Sequence, residues 1–380
     1  PHSPRSHNGA KYIANVPGRG YAFVGEVRKA LMVSPPLPSQ TSVPPLATDL
    51  PETGVRLPTR LTRPIGRGQI ISQIGELISQ ERLVSVVGAG GMGKTTVALA
   101  VAENHAALYE QGSFFVDFSR LTDPALVVVE VGQSHGLNVA RTEPWATLED
   151  ALRDKHVLII LDNCEHVIDA VAALVDRLLR VCPRVHFLAT SREPLEVEAE
   201  WIFRLPPLGV PEPERLLELE SVLAYPAIQL FVERARAACD SFQLSEANAS
   251  AVRELCQFLD GIPLAIELAA ARVGSLGVHG LLPRLESAFE ILTRGRRTAL
   301  SRHRTLHAVL NWSYELLSDT EKLVLQRLSV FRGTFDLDGA VAVVASEDLP
   351  KQRVVEDVLS LCTKSLVMLE HTESHFRHRL

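Results

Sequence analysis

Residues 88–95 read Gly88-Ala89-Gly90-Gly91-Met92-Gly93-Lys94-Thr95, and this stretch decides the fold. An apolar run at 83–87 precedes it, and a helical pattern at 95–102 follows it. A strand, a glycine-rich loop and a helix in this order make the phosphate-binding loop called Walker A. The glycines let backbone amides point at phosphate oxygens, and the start of the helix adds a positive dipole end. The stretch therefore predicts that the chain binds a nucleoside polyphosphate.

Two side chains of this loop carry specific chemistry. Lys94 is expected to lie along the β- and γ-phosphates, and the Thr95 hydroxyl is expected to ligate Mg²⁺. Thr96, the next residue, is expected to contact the nucleotide as well. The alternative is a glycine-rich turn with an accidental Gly-Lys-Thr, which the strand before it and the helix after it disfavour.

Composition limits the class of protein. A chain of 380 residues that is 46% hydrophobic, with a mean hydropathy of +0.10, is expected to form two or three globular domains. No apolar run approaches the roughly 20 residues that span a membrane, so no membrane partner is expected. The five cysteines are odd in number and form no Cys-x-x-Cys pair. That usage disfavours disulfides and zinc sites and favours a reducing, cytoplasmic location.

The N-terminal part differs from the rest in charge and in proline content. Residues 1–63 carry a net charge of +5 and the remainder −11, which suggests that only this head meets a polyanion such as DNA. Eight prolines between 35 and 64 predict an extended spacer. Two β-prone runs at 11–16 and 21–24 flank a Pro/Gly turn and predict a hairpin. Chance composition remains the alternative for the charge, and both chain ends look cut, so a longer parent protein is expected.

After the spacer, strand and helix patterns alternate. The candidate strands are 83–87, 114–118, 156–161, 185–190 and 201–205. Near-continuous apolar strands belong in a parallel sheet that helices cover on both faces, so a three-layer α/β domain is expected.

Three charged residues follow these strands and are candidates for nucleotide chemistry. Asp162 ends an apolar strand, which is the Walker B arrangement, and is expected to hold Mg²⁺. Glu165 follows, and two interpretations stay open: it activates the attacking water, or it is a solvated glutamate at a helix start. Arg192 ends the next strand and either senses the γ-phosphate or pairs with Glu193 or Glu196 on the surface.

Beyond residue 210 the pattern turns helical. A helix is predicted from Pro226, a second one ends at Gly261, and Pro263 starts the next. Glycine after one helix and proline in the first turn of another predict a tight corner between helices.

Five motifs in order carry a resemblance to a known family, the NB-ARC/STAND class of signal-transduction ATPases. They are Ile65-Gly66-Arg67, the Walker A loop, Leu161-Asp162-Asn163-Cys164-Glu165-His166, Thr190-Ser191-Arg192-Glu193-Pro194-Leu195 and Gly261-Ile262-Pro263-Leu264. The chain looks most like the bacterial transcriptional regulators that fuse such an ATPase to a winged helix. The hairpin at 11–24 is similar to the end of a response-regulator-type winged helix, or else it is an unrelated hairpin.

The resemblance implies roles for further residues. Ile65 and Arg67 would flank the adenine, Pro263 would close over the base or ribose, and Arg19 would reach a DNA phosphate or the minor groove. The implied domains are a winged-helix remnant at 1–30, a linker at 31–61, a P-loop domain at 62–212, a helical domain at 213–290 and a winged-helix-like domain at 291–380. Ser318-Asp319-Thr320-Glu321 in the last domain predicts a helix-capping box.

Together these features predict a switch that ADP and ATP control, with Mg²⁺, in a DNA-binding regulator that forms homo-oligomers when ATP is bound. Asn163 stands where many relatives have an acid, so slow ATP hydrolysis at most is expected. Two other classes stay open: a metabolic P-loop enzyme such as a kinase with a helical lid, and a structural protein whose ADP never exchanges. Turnover with a small acceptor favours the first, and a nucleotide that survives dialysis against ATP favours the second.

Overall fold

The computed structural model describes residues 13–16, 20–23, 57–60, 63–137, 143–212, 219–287, 306–331, 333–371 and 376–380. The chain divides into two compact units, Pro1–Asp49 and Leu50–Leu380. In the first unit, strands β1 (Ile13–Val16) and β2 (Gly20–Phe23) pair antiparallel, as the hairpin prediction requires. Arg19 and nearly all of the predicted linker lie outside the described residues.

The second unit begins with the predicted α/β domain. Its five strands are all parallel and lie in the order β4-β5-β6-β3-β7, with bounds β3 Leu83–Val87, β4 Ser113–Asp117, β5 Val157–Asp162, β6 Val185–Ser191 and β7 Glu200–Arg204. The sequence predicted all five within one residue at either end. The helices between them are α1 Gly68–Gln80, α2 Lys94–His105, α3 Val127–Ser134, α4 Pro144–Leu152 and α5 Ile168–Val181.

Alternate residues of β5 show why this domain has three layers. Leu158 and Ile160 pack with α1 and α2 on one face of the sheet, whereas Ile159 and Leu161 pack with α3, α4 and α5 on the other. Successive strand residues point to opposite faces, so a strand that is apolar throughout must be covered on both sides. The predicted three-layer arrangement is therefore confirmed.

A helical segment follows the sheet. Its helices are α6 Leu219–Leu223, α7 Pro226–Ala238, α8 Glu246–Phe258, α9 Pro263–Ala270, α10 Val273–Leu276 and α11 Val278–Ser287. The predicted corner lies between α8 and α9. Gly261 has a φ of +65°, and a Cβ there would lie 2.1 Å from the Leu208 carbonyl oxygen. Only glycine can therefore join these two helices in this way.

The C-terminal segment has its own core. It contains α12 Leu306–Glu315, α13 Asp319–Leu328, α14 Leu337–Val344, α15 Lys351–Thr363, β8 Met368–His371 and β9 Phe376–Arg379, and the two strands pair antiparallel. The capping box is confirmed, because Glu321 N donates to Ser318 Oγ and Ser318 N donates to Glu321 Oε2. In the part of the chain that the structure describes, no helix is long and apolar enough to cross a membrane.

Candidate functional site

The strand order gathers the predicted site residues at one edge of the sheet. β6 lies between β3, which leads into the phosphate-binding loop, and β5, which ends in Asp162. All three strands are parallel, so their carboxyl ends meet at the same edge. The Gly88 amide donates to the Ser191 carbonyl across 3.3 Å, which holds the start of the loop against the end of β6. This edge is where open α/β sheets bind ligands.

The phosphate-binding loop runs from Gly88 into the first turn of α2. Gly93, the residue before that helix, has a φ of +86°, a left-handed conformation that glycine adopts without strain. The Lys94 ammonium donates to the carbonyls of Gly88 and Ala89 at 2.7 and 3.0 Å. The lysine therefore binds across its own loop at the place where the sequence predicts phosphate.

Asp162 lies at the centre of a buried hydrogen-bond network and is only 2% exposed. Its carboxylate accepts hydrogen bonds from Thr95 Oγ1 at 2.8 Å, Thr190 Oγ1 at 2.5 Å and Asn163 Nδ2 at 2.6 Å. Burial raises the pKa of Asp162 from 3.8 to about 6, and the hydrogen bonds from Thr190 and Thr95 oppose that rise. The structure therefore brings the two predicted magnesium ligands, Thr95 and Asp162, into direct contact.

Asn163, the residue after Asp162, bridges two carboxylates through its side chain. Its side-chain amide donates both to Asp162 and to Asp117 Oδ1, the latter at 3.0 Å. An acid at position 163 would place a third carboxylate between those of Asp162 and Asp117. An amide instead supplies the hydrogen-bond donors that both carboxylates accept. Its backbone has a φ of +62°, which asparagine tolerates better than most residues.

Thr190 and Asp117 also belong to this network, although no role was predicted for either from the sequence. Each lies at the carboxyl end of a predicted strand, Thr190 in β6 and Asp117 in β4. The signal that could have found them is a polar residue at the end of a strand beside the Walker B strand. Asp117 and Asp162 are direct partners in the register of the sheet.

Glu165 and Arg192 form a buried ion pair that the sequence did not predict. Arg192 Nε lies 3.3 Å from Glu165 Oε1, and the two side chains are 8% and 6% exposed. From the sequence, Glu165 and Arg192 were predicted to have separate roles, and Glu193 or Glu196 were the alternative partners of Arg192. Both residues of the pair line the cavity at the phosphate-binding loop. The pair is therefore placed where charge on a bound phosphate would act on it.

The opposite wall of this cavity belongs to helix α9. The cavity is about 230 Å³ and is bordered by the loop on one side and by Pro263, Leu264 and Glu267 on the other. The Leu264 amide donates to the Gly91 carbonyl at 3.2 Å, which joins the first turn of α9 to the loop. The helical segment therefore contacts the phosphate-binding loop directly.

A narrower cavity of about 80 Å³ continues from the loop toward residues 63–67. Apolar side chains of Ile65, Leu208 and Leu230 and the ring of Pro263 line it, as suits the flat face of a base. Arg67 is also part of the lining, but its guanidinium is occupied. It donates to the carbonyls of Pro206 at 2.8 Å and Met92 at 3.2 Å, and burial lowers the pKa of Arg67 to about 10.

Comparison with known proteins identifies the domain that contains this site. A family profile for the AAA domain matches residues 77–192, a range that includes the phosphate-binding loop, Asp162 and Arg192. This segment is an AAA-type P-loop ATPase domain. Such domains bind nucleotides, typically with Mg²⁺.

Mycobacterial proteins are among the relatives of this chain. The Mycobacterium tuberculosis protein named "Uncharacterized protein Rv0894" is 37% identical over 322 residues, which make up 84% of this chain and 79% of that protein. This chain belongs to the same family. A second M. tuberculosis relative, named "Putative HTH-type transcriptional regulator Rv0890c", is 38% identical over 308 residues. Those residues make up 80% of this chain but 33% of that protein, so the chain spans about a third of its length.

Among solved structures, the Walker-type ATPase PABY2304 of Pyrococcus abyssi has a similar fold. Its TM-score is 0.53 at 12% sequence identity, and the match covers 86% of this chain and 96% of that one. This likeness concerns the fold alone, which is an α/β P-loop NTPase with a five-stranded parallel sheet.

Proposed function

We propose that this chain is a nucleotide-gated switch of the STAND type within a transcriptional regulator. ADP would hold the α/β and helical segments together, and exchange for ATP with Mg²⁺ would open the module to self-association. The observation that carries the proposal is the shared cleft. The phosphate-binding loop forms one wall, α9 forms the other, and the Leu264–Gly91 hydrogen bond joins them.

The residues of the loop edge suit a magnesium nucleotide. Mg²⁺ prefers oxygen ligands and takes few of them from protein when phosphates supply the rest. The Thr95 hydroxyl and the Asp162 carboxylate, 2.8 Å apart, offer such ligands. When bound, the metal would neutralise charge on the phosphates, and Lys94 would turn from the Gly88 and Ala89 carbonyls toward them.

The ion pair between Glu165 and Arg192 offers a way to distinguish ATP from ADP. A γ-phosphate carries more negative charge than one carboxylate, so it would compete with Glu165 for the guanidinium. Release of Glu165 would then leave that carboxylate available to orient or deprotonate water. Sensing and slow hydrolysis would thus depend on the same pair, which is intact in this structure.

Contacts made in one state only must supply the free energy of switching. Moving an equilibrium from 1:99 to 99:1 takes about 5.5 kcal/mol of differential affinity. We propose that the α9 contact with the loop, the Pro263 contact with the base and the Arg192 contact with the γ-phosphate supply it.

The output of the switch follows from the proposed domains. Residues 1–30 would complete a winged helix that binds duplex DNA through Arg19, and residues 31–61 would link it to the P-loop domain at 62–212. Residues 213–290 and 291–380 would be the helical and winged-helix-like domains that open. A relative named as an HTH-type regulator supports this output. The chain spans about a third of that relative. We therefore make no assignment of the signal that triggers opening to residues of this chain.

The deciding experiment compares nucleotide content, affinity and assembly. The nucleotide that co-purifies is identified, and titration calorimetry then measures ADP and ATP with Mg²⁺. Light scattering after gel filtration measures mass with ADP and with a non-hydrolysable ATP analogue. A switch predicts bound ADP and a larger mass with the analogue only. Identical mass in both nucleotides, or steady turnover that a small acceptor stimulates, would instead favour a metabolic enzyme.

A further inference from the structure

Glu267 lies where the two ends of the nucleotide cleft meet. The cavity at the phosphate end and the narrower cavity at the base end share four lining residues, Gly93, Thr96, Pro263 and Glu267. Of these four, only Glu267 carries a charge. Pro263 lies in the first turn of α9, and one helical turn later the same face of this helix presents the Glu267 carboxylate to the cleft.

A cation on the neighbouring helix holds Glu267 in place. Arg234 Nε of α7 lies 2.9 Å from Glu267 Oε1, and the two side chains are 15% and 31% exposed. Arg234 also pairs with Glu233 at 2.8 Å, but Glu233 is 53% exposed and lines neither end of the cleft. The pair therefore fixes Oε1 of Glu267, and among the described residues no hydrogen bond engages Oε2, which can accept from a ligand.

The chemistry of the position restricts what that oxygen can bind. A carboxylate repels phosphate, so Glu267 is unsuited to contact the phosphates that Lys94 is expected to hold. Between the base and the phosphates of a nucleotide lies the sugar, and its hydroxyls are hydrogen-bond donors. A carboxylate that accepts from a ribose hydroxyl is a known solution in dinucleotide-binding folds.

We propose that Glu267 accepts a hydrogen bond from a ribose hydroxyl and makes the cleft selective for nucleotides whose sugar carries that hydroxyl. Arg234 is the positioning residue for this contact. The inference rests on the proposed nucleotide switch and adds to it the group that reads the sugar. A charge-assisted hydrogen bond of this kind corresponds to about a tenfold to hundredfold preference for ADP over 2′,3′-dideoxy-ADP.

The test measures both nucleotides by titration calorimetry on the full chain and on three variants. In Glu267→Ala, the preference should disappear because ADP weakens while 2′,3′-dideoxy-ADP binds as before. Glu267→Gln keeps an acceptor oxygen without the charge and should retain an intermediate preference. Glu233→Gln removes the other carboxylate beside Arg234 and should keep the full preference. Titrations with 2′-deoxy- and 3′-deoxy-ADP then show which hydroxyl is read.

Several outcomes would overturn the assignment. Equal weakening of both nucleotides in Glu267→Ala would mean that Glu267 contacts the base or only supports the fold. Wild-type protein that binds both nucleotides equally would show that the sugar is not read at all. Wild-type protein that binds no adenine nucleotide would instead remove the proposed switch itself, so the two failures are distinguishable. Unfolding temperatures of the variants check that each one is folded.

Discussion

Ser365 Oγ donates a 2.7 Å hydrogen bond to the backbone carbonyl of Arg192, a residue 173 positions earlier in the chain. Ser365 follows α15 and has a φ of +57°, so the chain turns sharply at this contact. Its neighbour Lys364 forms an ion pair with the buried Glu321 of the same segment, with 2.7 Å between Nζ and Oε1. The C-terminal segment is thus anchored to the residue whose side chain lines the phosphate end of the cleft.

From this contact we expect Ser365 to stabilise the closed state of the proposed switch relative to its open state. Ser365→Ala should shift the equilibrium toward the open form by about twofold to tenfold, because one hydrogen bond contributes about 0.5–1.5 kcal/mol. Light scattering with non-hydrolysable ATP should show a larger oligomeric fraction at a given nucleotide concentration. The control is Ser329→Ala, whose exposed hydroxyl donates to the Gln326 carbonyl at the end of its own helix. Equal behaviour of the two variants would contradict the prediction.

Lys94 is expected to contribute strongly to the affinity for nucleotide. Lys94→Ala should reduce the affinity for ADP and ATP about tenfold to hundredfold, since a hydrogen bond from a charged group contributes about 1.5–3 kcal/mol. Calorimetry measures the affinity, and Lys155→Ala, at an exposed position before β5, is the control. Unchanged binding in Lys94→Ala would refute the Walker A assignment.

A substitution of Glu165 is expected to abolish ATP hydrolysis without weakening ATP binding. Glu165→Gln should bind ATP at least as tightly as wild type, because the amide holds Arg192 less strongly than the carboxylate does. It should also lose the slow release of phosphate, which a coupled phosphate assay measures over hours. Glu196→Gln is the matched control, at an exposed glutamate four residues from Arg192. Hydrolysis that continues unaltered in Glu165→Gln would move the activation of water to another residue.

The raised pKa of Asp162 should make both the free energy of unfolding and the binding of Mg²⁺ depend on pH. Burial raises the pKa of Asp162 from 3.8 to about 6, so the folded protein binds the carboxyl proton more tightly than the unfolded chain does. The stabilisation from this proton is full below about pH 4 and is lost as pH rises through 6. Without nucleotide, wild type should lose up to about 3 kcal/mol over that range relative to Asp162→Asn. Urea unfolding of both proteins from pH 4 to 7.5 measures this difference.

Magnesium should reverse the direction of that effect. A bound cation favours the ionised carboxylate, so the affinity for ATP with Mg²⁺ should fall as pH drops below about 6. Binding of ADP in EDTA should show no such dependence on Asp162. A pH profile of stability that is the same in wild type and Asp162→Asn would contradict both expectations.

The sequence by itself determined the features that depend on neighbouring residues. The run Leu83–Val87 predicts a buried strand because four of its five residues are apolar. Gly88 to Thr95 predict a phosphate-binding loop because glycine and lysine have distinctive backbone and charge properties. The corner at Gly261 and the capping box at Ser318 are equally local. Each of these predictions needed only a few consecutive residues.

Tertiary structure decided which of these residues meet. Only the strand order, with β6 between β3 and β5, brings Thr190 to Asp162 and Arg192 to Glu165. The sequence offered Glu193 and Glu196 as partners of Arg192 because they are near in the chain, yet the chosen carboxylate is 27 residues away. Packing of whole segments makes that choice, because burying the guanidinium is favourable only where a carboxylate is already held beside it. The same holds for Ser365, whose partner no local pattern in the sequence could indicate.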